Sequence, residues 1–329
     1  MVSRYRQTCA RETKKIGLTG LSDTKHRTNR CFFTDQFQLE SWRRDENPVV
    51  YDMIDTRFFC LIHHDIKQRK VLDMVFQMWS VLHLAYIASP VVLAILLYRW
   101  TKHNSMSTNR TIGIVLSALA VLILIVRNAD IWIRTGFSYE IIPLQICHFA
   151  NFVLLGAFLF KNKTLFALSF TLNMPAAYMS IIFANSLSNY NDFFRIRPQA
   201  YFWGHLLIVM IALWAVMVRQ VRIDTKVLMK TFGLMVALFF SAVVINNLFT
   251  LIGMTPNYFY AMRPEKGTPL EWFYTLTDPI MIGRFMIHPV YWILTGLFAI
   301  VIVGVLAVVY QGIIWTTRDI DARLVATES

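Results

Sequence analysis

Residues 286–314 read MIHPVYWILTGLFAIVIVGVLAVVYQGII. The stretch holds no Asp, Glu, Lys or Arg, and as a helix rising about 1.5 Å per residue it outruns the roughly 30 Å of hydrocarbon in a bilayer. A buried helix of a soluble domain seldom needs more than about 10–14 such residues. Upstream of it, six more apolar runs lie at about 75–98, 111–133, 138–160, 165–187, 200–219 and 231–253. These runs define the fold class: an all-α, polytopic transmembrane helical bundle of about seven spans. Composition agrees, since only 16% of the 329 residues are charged and 56% are hydrophobic, against about 25% charged in a soluble domain.

Three segments are expected. Residues 1–72 form a basic, cytosol- or surface-exposed tail, 73–315 the seven-span bundle, and 316–329 a polar C-terminal tail. The first 30 residues carry no apolar core of a secretory signal, so the first span serves for insertion. Within the tail, residues 57–63 are apolar but too short to span, which suits the interface. Breakers mark the short loops at Lys161-Asn-Lys163, 185–198 and Arg222-Ile-Asp224. The longest connection, 253–284, is rich in Pro, Tyr and Trp and reads as a lid at headgroup level. Pro90 and Pro175 fall inside spans and should kink them.

The net charge of +12 fits basic loops meeting anionic lipid headgroups. No pattern for binding nucleic acid accompanies it. Cys9, Cys31 and Cys60 lie in the tail and Cys147 in a span; with no CxxC or Cys/His spacing, neither a metal nor a cofactor is expected. Basic residues on the two sides nearly balance, and their density in the compact loops favours placing those loops in the cytoplasm. Membrane lipids are the expected partners, at the plasma membrane.

Polar side chains inside the spans share one depth. Arg127, Asn128 and Asp130 end span two, and Glu140, Gln145, Cys147, His148 and Asn151 open span three. His205 is early in span five, Asn246 and Asn247 late in span six, His288 at the start of span seven, and His83 in the first half of span one. Polar groups in hydrocarbon cost several kcal/mol unless partnered, so this set should turn inward around one polar cavity open to one face. Substrate-binding candidates are therefore His83, Arg127, Asp130, Gln145, His148, Asn246, Asn247 and His288.

Cys147 and His205 lie about 10–12 Å inside the same face, and a thiol beside an imidazole is the minimum for a nucleophile with its base. His148, next in sequence to Cys147, points about 100° away around the helix and makes the poorer base. Arg127, Asp130 and Arg134 recur at i, i+3 and i+7, so one helical face should flank Asp130 with two cations. Arg127, the deepest, is suited to a lipid phosphate or carboxylate.

A run of short motifs carries a resemblance. Ser80-Val-Leu-His83-Leu84, Ile142-Pro-Leu-Gln-Ile-Cys147, Phe202-Trp-Gly-His205, Asn246-Asn247, Gly253-Met-Thr-Pro-Asn257-Tyr258, Arg263-Pro264 and His288-Pro289-Val-Tyr291-Trp292 resemble the YwaF-type integral membrane proteins over about residues 76–310. That resemblance implies a bundle of six to seven spans, with animal relatives thought to be lipid acyltransferases. It implies that Cys147 holds the acyl group as a thioester, that His205 activates it, and that His83 and Asn247 line the pocket. Gln145 stands where such proteins often have histidine, so either His205 or His148 supplies the base or this member has lost the chemistry. Two other functions compete: a solute or ion-coupled carrier built on Arg127, Asp130 and Glu140, and a non-catalytic membrane scaffold using the basic tail.

Overall fold

The computed structural model of the protein describes residues 76–318 apart from 186, 188, 189, 191 and 266. The expected tail at 1–72, with its stretch 57–63 and Cys9, Cys31 and Cys60, lies outside the described residues, as does the chain end after Arg318.

Seven helical segments among the described residues are long and apolar enough to cross a membrane, so this is an integral, multi-pass membrane protein. They are α1 (Val81–Thr101) and α2 (Met106–Thr135), then a 3-10 turn (Tyr139–Ile141) leading into α3 (Ile146–Phe160). The fourth combines α4 (Lys163–Leu168), a π-turn (Ser169–Asn173) and α5 (Met174–Ile182); α6 (Ile196–Met217) and α7 (Thr225–Leu251) follow. A connection then holds the 3-10 turn Tyr258–Tyr260, α8 (Leu270–Thr275) and the antiparallel hairpin of β1 (Ile280–Ile282) and β2 (Phe285–Ile287). The last span is α9 (Pro289–Thr316).

Local chemistry sets the ends. The first helix begins several residues after its apolar run, because Ser80 caps it by accepting from the His83 amide at 3.2 Å. Asn162 caps α4 by accepting from the Thr164 and Leu165 amides. The two prolines behave differently. Pro90 sits within an unbroken α1. Pro175 instead follows the π-turn: lacking an N–H, it cannot continue the hydrogen-bond ladder, and the turn before it widens.

The centre of the bundle is α6, in which every residue from 204 to 216 is buried. Its apolar window is 72% buried, whereas that of α9 is only 6% buried. The perimeter helices therefore present their side chains to lipid, as the exposed Ile293, Leu297, Val301, Val305 and Val308 of α9 do. Close approach uses small residues: a Cβ added at Gly113 of α2 would overlap the Phe158 ring of α3. Two arginines bind helix ends on the side away from the long connection. Arg110 donates to the carbonyls of Phe158 (2.8 Å) and Leu159 (2.7 Å). Buried Arg219 donates to Thr317 Oγ1 and to the carbonyls of Ile314 and Thr317. Cations at helix C-termini are favourable on both counts, charge and hydrogen bonding.

The connection between α7 and α9 is a folded cap. Buried Asn246 accepts from the Tyr258 amide at 2.9 Å and donates to the Tyr258 carbonyl at 3.0 Å. Asn247 does the same for Met286 of β2, at 2.7 and 3.2 Å. From α9, Tyr291 Oη donates to the Tyr260 carbonyl and Trp292 Nε1 to the Ala261 carbonyl, each at 2.8 Å. Tyr258 Oη reaches the Tyr139 carbonyl at 2.9 Å. These bonds hold Phe259 and Tyr260 at φ of 57° and 52°, a left-handed conformation that bulky residues adopt only when their surroundings impose it.

Candidate functional site

A cavity of about 910 Å³ opens among α3, α5, α6, α7, α9 and the cap. It lies in the upper part of the usual range for ligand sites. Its two ends differ in chemistry. Under the cap it is lined by Arg127, Glu140, Gln145, Cys147, His148, Ser180, Tyr201, His205, Tyr260 and Glu265. Away from the cap its walls are Phe232, Met235, Val236, Phe239 and Phe240 of α7, facing Ile293, Gly296, Ala299, Ile300 and Ile302 of α9. Between them stands Trp292, with its ring 6.4 Å from Phe239 and 6.2 Å from Phe240. The apolar end is a trough rather than a closed chamber, since Phe240, Ile293 and Ile300 are more than half exposed. From Trp292 to Ile302 it runs about 15 Å, one leaflet's share of the hydrocarbon.

At the polar end, Arg127 staples the end of α2 to the turn before α3. Its guanidinium donates to Glu140 Oε2 at 3.1 Å and to the Glu140 carbonyl at 3.0 Å, while Asn128 Nδ2 donates to the Ile141 carbonyl. This staple fixes where α3 starts. Gln145 is its N-cap residue but gives no side-chain cap bond, and the first intrahelical bond is Phe149 N–H to the Gln145 carbonyl. The amides of Ile146, Cys147 and His148 therefore precede the hydrogen-bonded ladder, and Cys147 sits in the positive field of a helix N-terminus. Its Sγ lies 4.0 Å from Ser180 Oγ. Tyr201 Oη donates to the Ser180 carbonyl at 2.7 Å, and the Tyr201 ring lies 4.1 Å from the His205 ring.

His205 is held through Nδ1, 2.7 Å from the Tyr201 carbonyl. This contact assigns the proton to Nδ1 and leaves Nε2 as the basic nitrogen. His148 lines the same cavity near Arg127 and His205, and its buried Nδ1 meets no hydrogen-bond partner among the described residues. On the cap side, Tyr260 interacts with Glu265, Cys147 and Tyr201. Burial, and then the neighbouring Glu265, hold the Tyr260 hydroxyl well above its ordinary value. Burial raises the Glu265 carboxyl, Glu271 adds to the rise, and a hydrogen bond from Tyr260 opposes it.

Of the residues singled out from sequence, Arg127, Gln145, Cys147, His148 and His205 line this cavity. The other five are placed outside its lining. Asp130 receives Arg134 at 2.5 Å and Arg197 at 3.7 Å, so its second cation comes from α6 rather than from Arg127, which pairs with Glu140. His83 is buried between the Trp79 amide and the Ile181 carbonyl. Asn246 and Asn247 bind the cap backbone as described. His288 is buried against the rings of Tyr274 and Tyr291, and neither ring nitrogen has a hydrogen-bond partner among the described residues.

Tyr201, Ser180, Tyr260 and Glu265 are among the cavity residues that the sequence does not single out. Tyr201 precedes His205 by one helical turn, a spacing that places both on one face. Ser180 sits near the end of its span, at the depth of the other polar groups. Tyr260 and Glu265 lie in the connection read as a lid, where no periodicity reports direction.

The model of the TMEM164 family matches residues 75–314. None of the curated proteins and none of the solved structures searched matches the chain.

Proposed function

This chain belongs to the TMEM164 family, and from that premise we propose that it is a lipid acyltransferase working through a thioester on Cys147. The observation that carries this reading is the two-ended cavity. A thiol at a helix N-terminus stands where a hydrogen-bonding chamber meets an apolar trough open to the bilayer. A solute carrier has no use for a lipid-facing trough of that length. An acyl chain does, since burying each methylene is worth about 0.8 kcal/mol against water, and a tail already in lipid enters the trough at little cost. The resemblance to YwaF-type proteins, with animal relatives regarded as acyltransferases, supports the same assignment.

The chemistry has two halves. Cys147 Sγ attacks the carbonyl carbon of a lipid ester, and His205 Nε2 takes the thiol proton. The carbon–oxygen bond breaks, and the lysolipid leaves as an alcohol while the acyl group stays on sulfur. The hydroxyl of a second lysolipid then attacks the thioester and frees the thiol. The amides of the first turn of α3 are the donors available to the oxyanion in each half. Arg127 and Glu140, already paired, offer both signs of charge to a headgroup.

The test is a direct search for the intermediate. The purified protein in vesicles is given a phospholipid whose fatty acyl chain ends in an alkyne. A label on the peptide containing Cys147, removed by neutral hydroxylamine, is the expected result. Label absent from Cys147, or stable to hydroxylamine, contradicts the reading.

A further inference from the structure

We propose that Glu265 is the acid–base residue for the ester oxygen, protonating the lysolipid as it leaves and taking the proton from the incoming hydroxyl, with Tyr260 as its positioning partner. This rests on the acyl-transfer reading above. It assigns to the cap a chemical role, beyond closing the cavity.

The direction of the cavity carries the argument. With the acyl tail in the trough between α7 and α9 and its carbonyl at Cys147, the ester oxygen and the glycerol beyond it must point to the polar end, beneath the cap. His205 comes from α6, is fixed through Nδ1 to its own helix, and serves the thiol. Tyr260 and Glu265 come from the cap and line the cavity there. Tyr260, Glu265 and Cys147 all line this one cavity. The backbone that delivers Tyr260 is strained: Phe259 and Tyr260 both have positive φ. Two helices and a turn hold that strain in place, through Asn246 on α7 and through Tyr291 and Trp292 on α9, with the Tyr258 hydroxyl reaching the turn before α3. Strain imposed from several sides is expected where one side chain must be aimed at a reacting group.

The group also has the required properties. Glu265 is half-buried, so it can exchange its proton with water between turnovers. Burial and Glu271 favour its neutral form, and a proton donor must be neutral at the start. Once Glu265 has given up its proton, the Tyr260 hydroxyl donates to the carboxylate. The balance closes over a cycle: the proton given to the departing alkoxide is recovered from the attacking hydroxyl.

The experiment compares two donors for labelling Cys147, with wild type and Glu265→Gln in the same vesicles. An ordinary phospholipid ester has a poor leaving group and needs an acid; a p-nitrophenyl ester of the same fatty acid does not. Glu265→Gln is expected to slow acylation from the phospholipid by about 10²–10⁴-fold and to leave acylation from the p-nitrophenyl ester within about threefold of wild type, as loss of a general acid predicts. With the phospholipid donor, wild type should lose rate as pH rises through the raised Glu265 titration, and the variant should lack that limb. Equal slowing on both donors, or none on either, overturns the assignment. Wild type that acylates Cys147 with neither donor overturns instead the acyl-transfer reading on which it rests. Tyr260→Phe should reproduce the donor-dependent loss in weaker form, and equal loss on both donors would assign Tyr260 to the fold alone.

Discussion

On the proposed thioester mechanism, replacing Cys147 with serine is expected to lower acyl transfer between lipids by at least about 10³-fold, since removing the nucleophile of a covalent mechanism costs at least as much as removing a general acid or base. A serine hydroxyl fits the same space beside Ser180 and leaves the α3 N-terminus, the Arg127–Glu140 staple and the trough untouched. Folding is expected to be unaffected. The substitution therefore separates chemistry from structure: the purified variant should keep the thermal midpoint of wild type and retain bound lipid. Its acylation and its overall transfer should fall together, because both halves of the reaction run through the same sulfur. A variant that still exchanges acyl chains at a rate near wild type would leave Cys147 as a small packing residue.

The second large effect is expected far from the sulfur. Replacing Asn246 with leucine leaves the N–H of Tyr258 without a partner at a site closed to water and removes one of the two donors to its carbonyl, the other being the Ala261 amide. A buried donor left unpaired costs about 1–3 kcal/mol, so the cap should be destabilised by about that much. Asn246→Asp should fall between leucine and wild type, because the carboxylate still accepts from the Tyr258 amide but cannot donate to its carbonyl. The measurement pairs thermal unfolding in detergent micelles with acyl transfer. A lowered midpoint and lost transfer, with helical content intact by circular dichroism, is the outcome predicted. If neither changes in the leucine variant, Asn246 does not hold the cap, and the strained turn at Phe259 and Tyr260 needs another support.

The seven spans were legible because hydrocarbon thickness sets a length that apolar runs either meet or miss. Each span expected from the runs has a helical counterpart, with ends moved by caps such as Ser80 and Asp224. The depth of the polar groups was legible for the same reason, and Arg127, Gln145, Cys147, His148 and His205, which share it, line one cavity. Direction around each helix was not legible. In a membrane bundle the lipid face and the packed face are both apolar, so no amphipathic period marks which way a polar residue points. Asn246 and Asn247 share the depth of the site yet grip the cap, and His83 shares it yet binds the Ile181 carbonyl. Asp130 reads as the partner of Arg127 on one helix face, but the Glu140 carboxylate, arriving from the next turn, takes that arginine. Tyr260 and Glu265 could not be read at all, because their position depends on a loop conformation imposed by α7, α9 and the turn before α3.

The central claim is that an acyl chain held at Cys147 lies in the trough between α7 and α9. It is tested most directly with a phospholipid carrying a diazirine at the methyl end of its acyl chain, photolysed after it has loaded Cys147 and mapped by mass spectrometry. Adducts should fall on the trough walls, around Phe232 to Val236 on α7 and Ala299 to Ile302 on α9. Adducts confined to the outer faces of α1 and α2, with none on the trough walls, would contradict it.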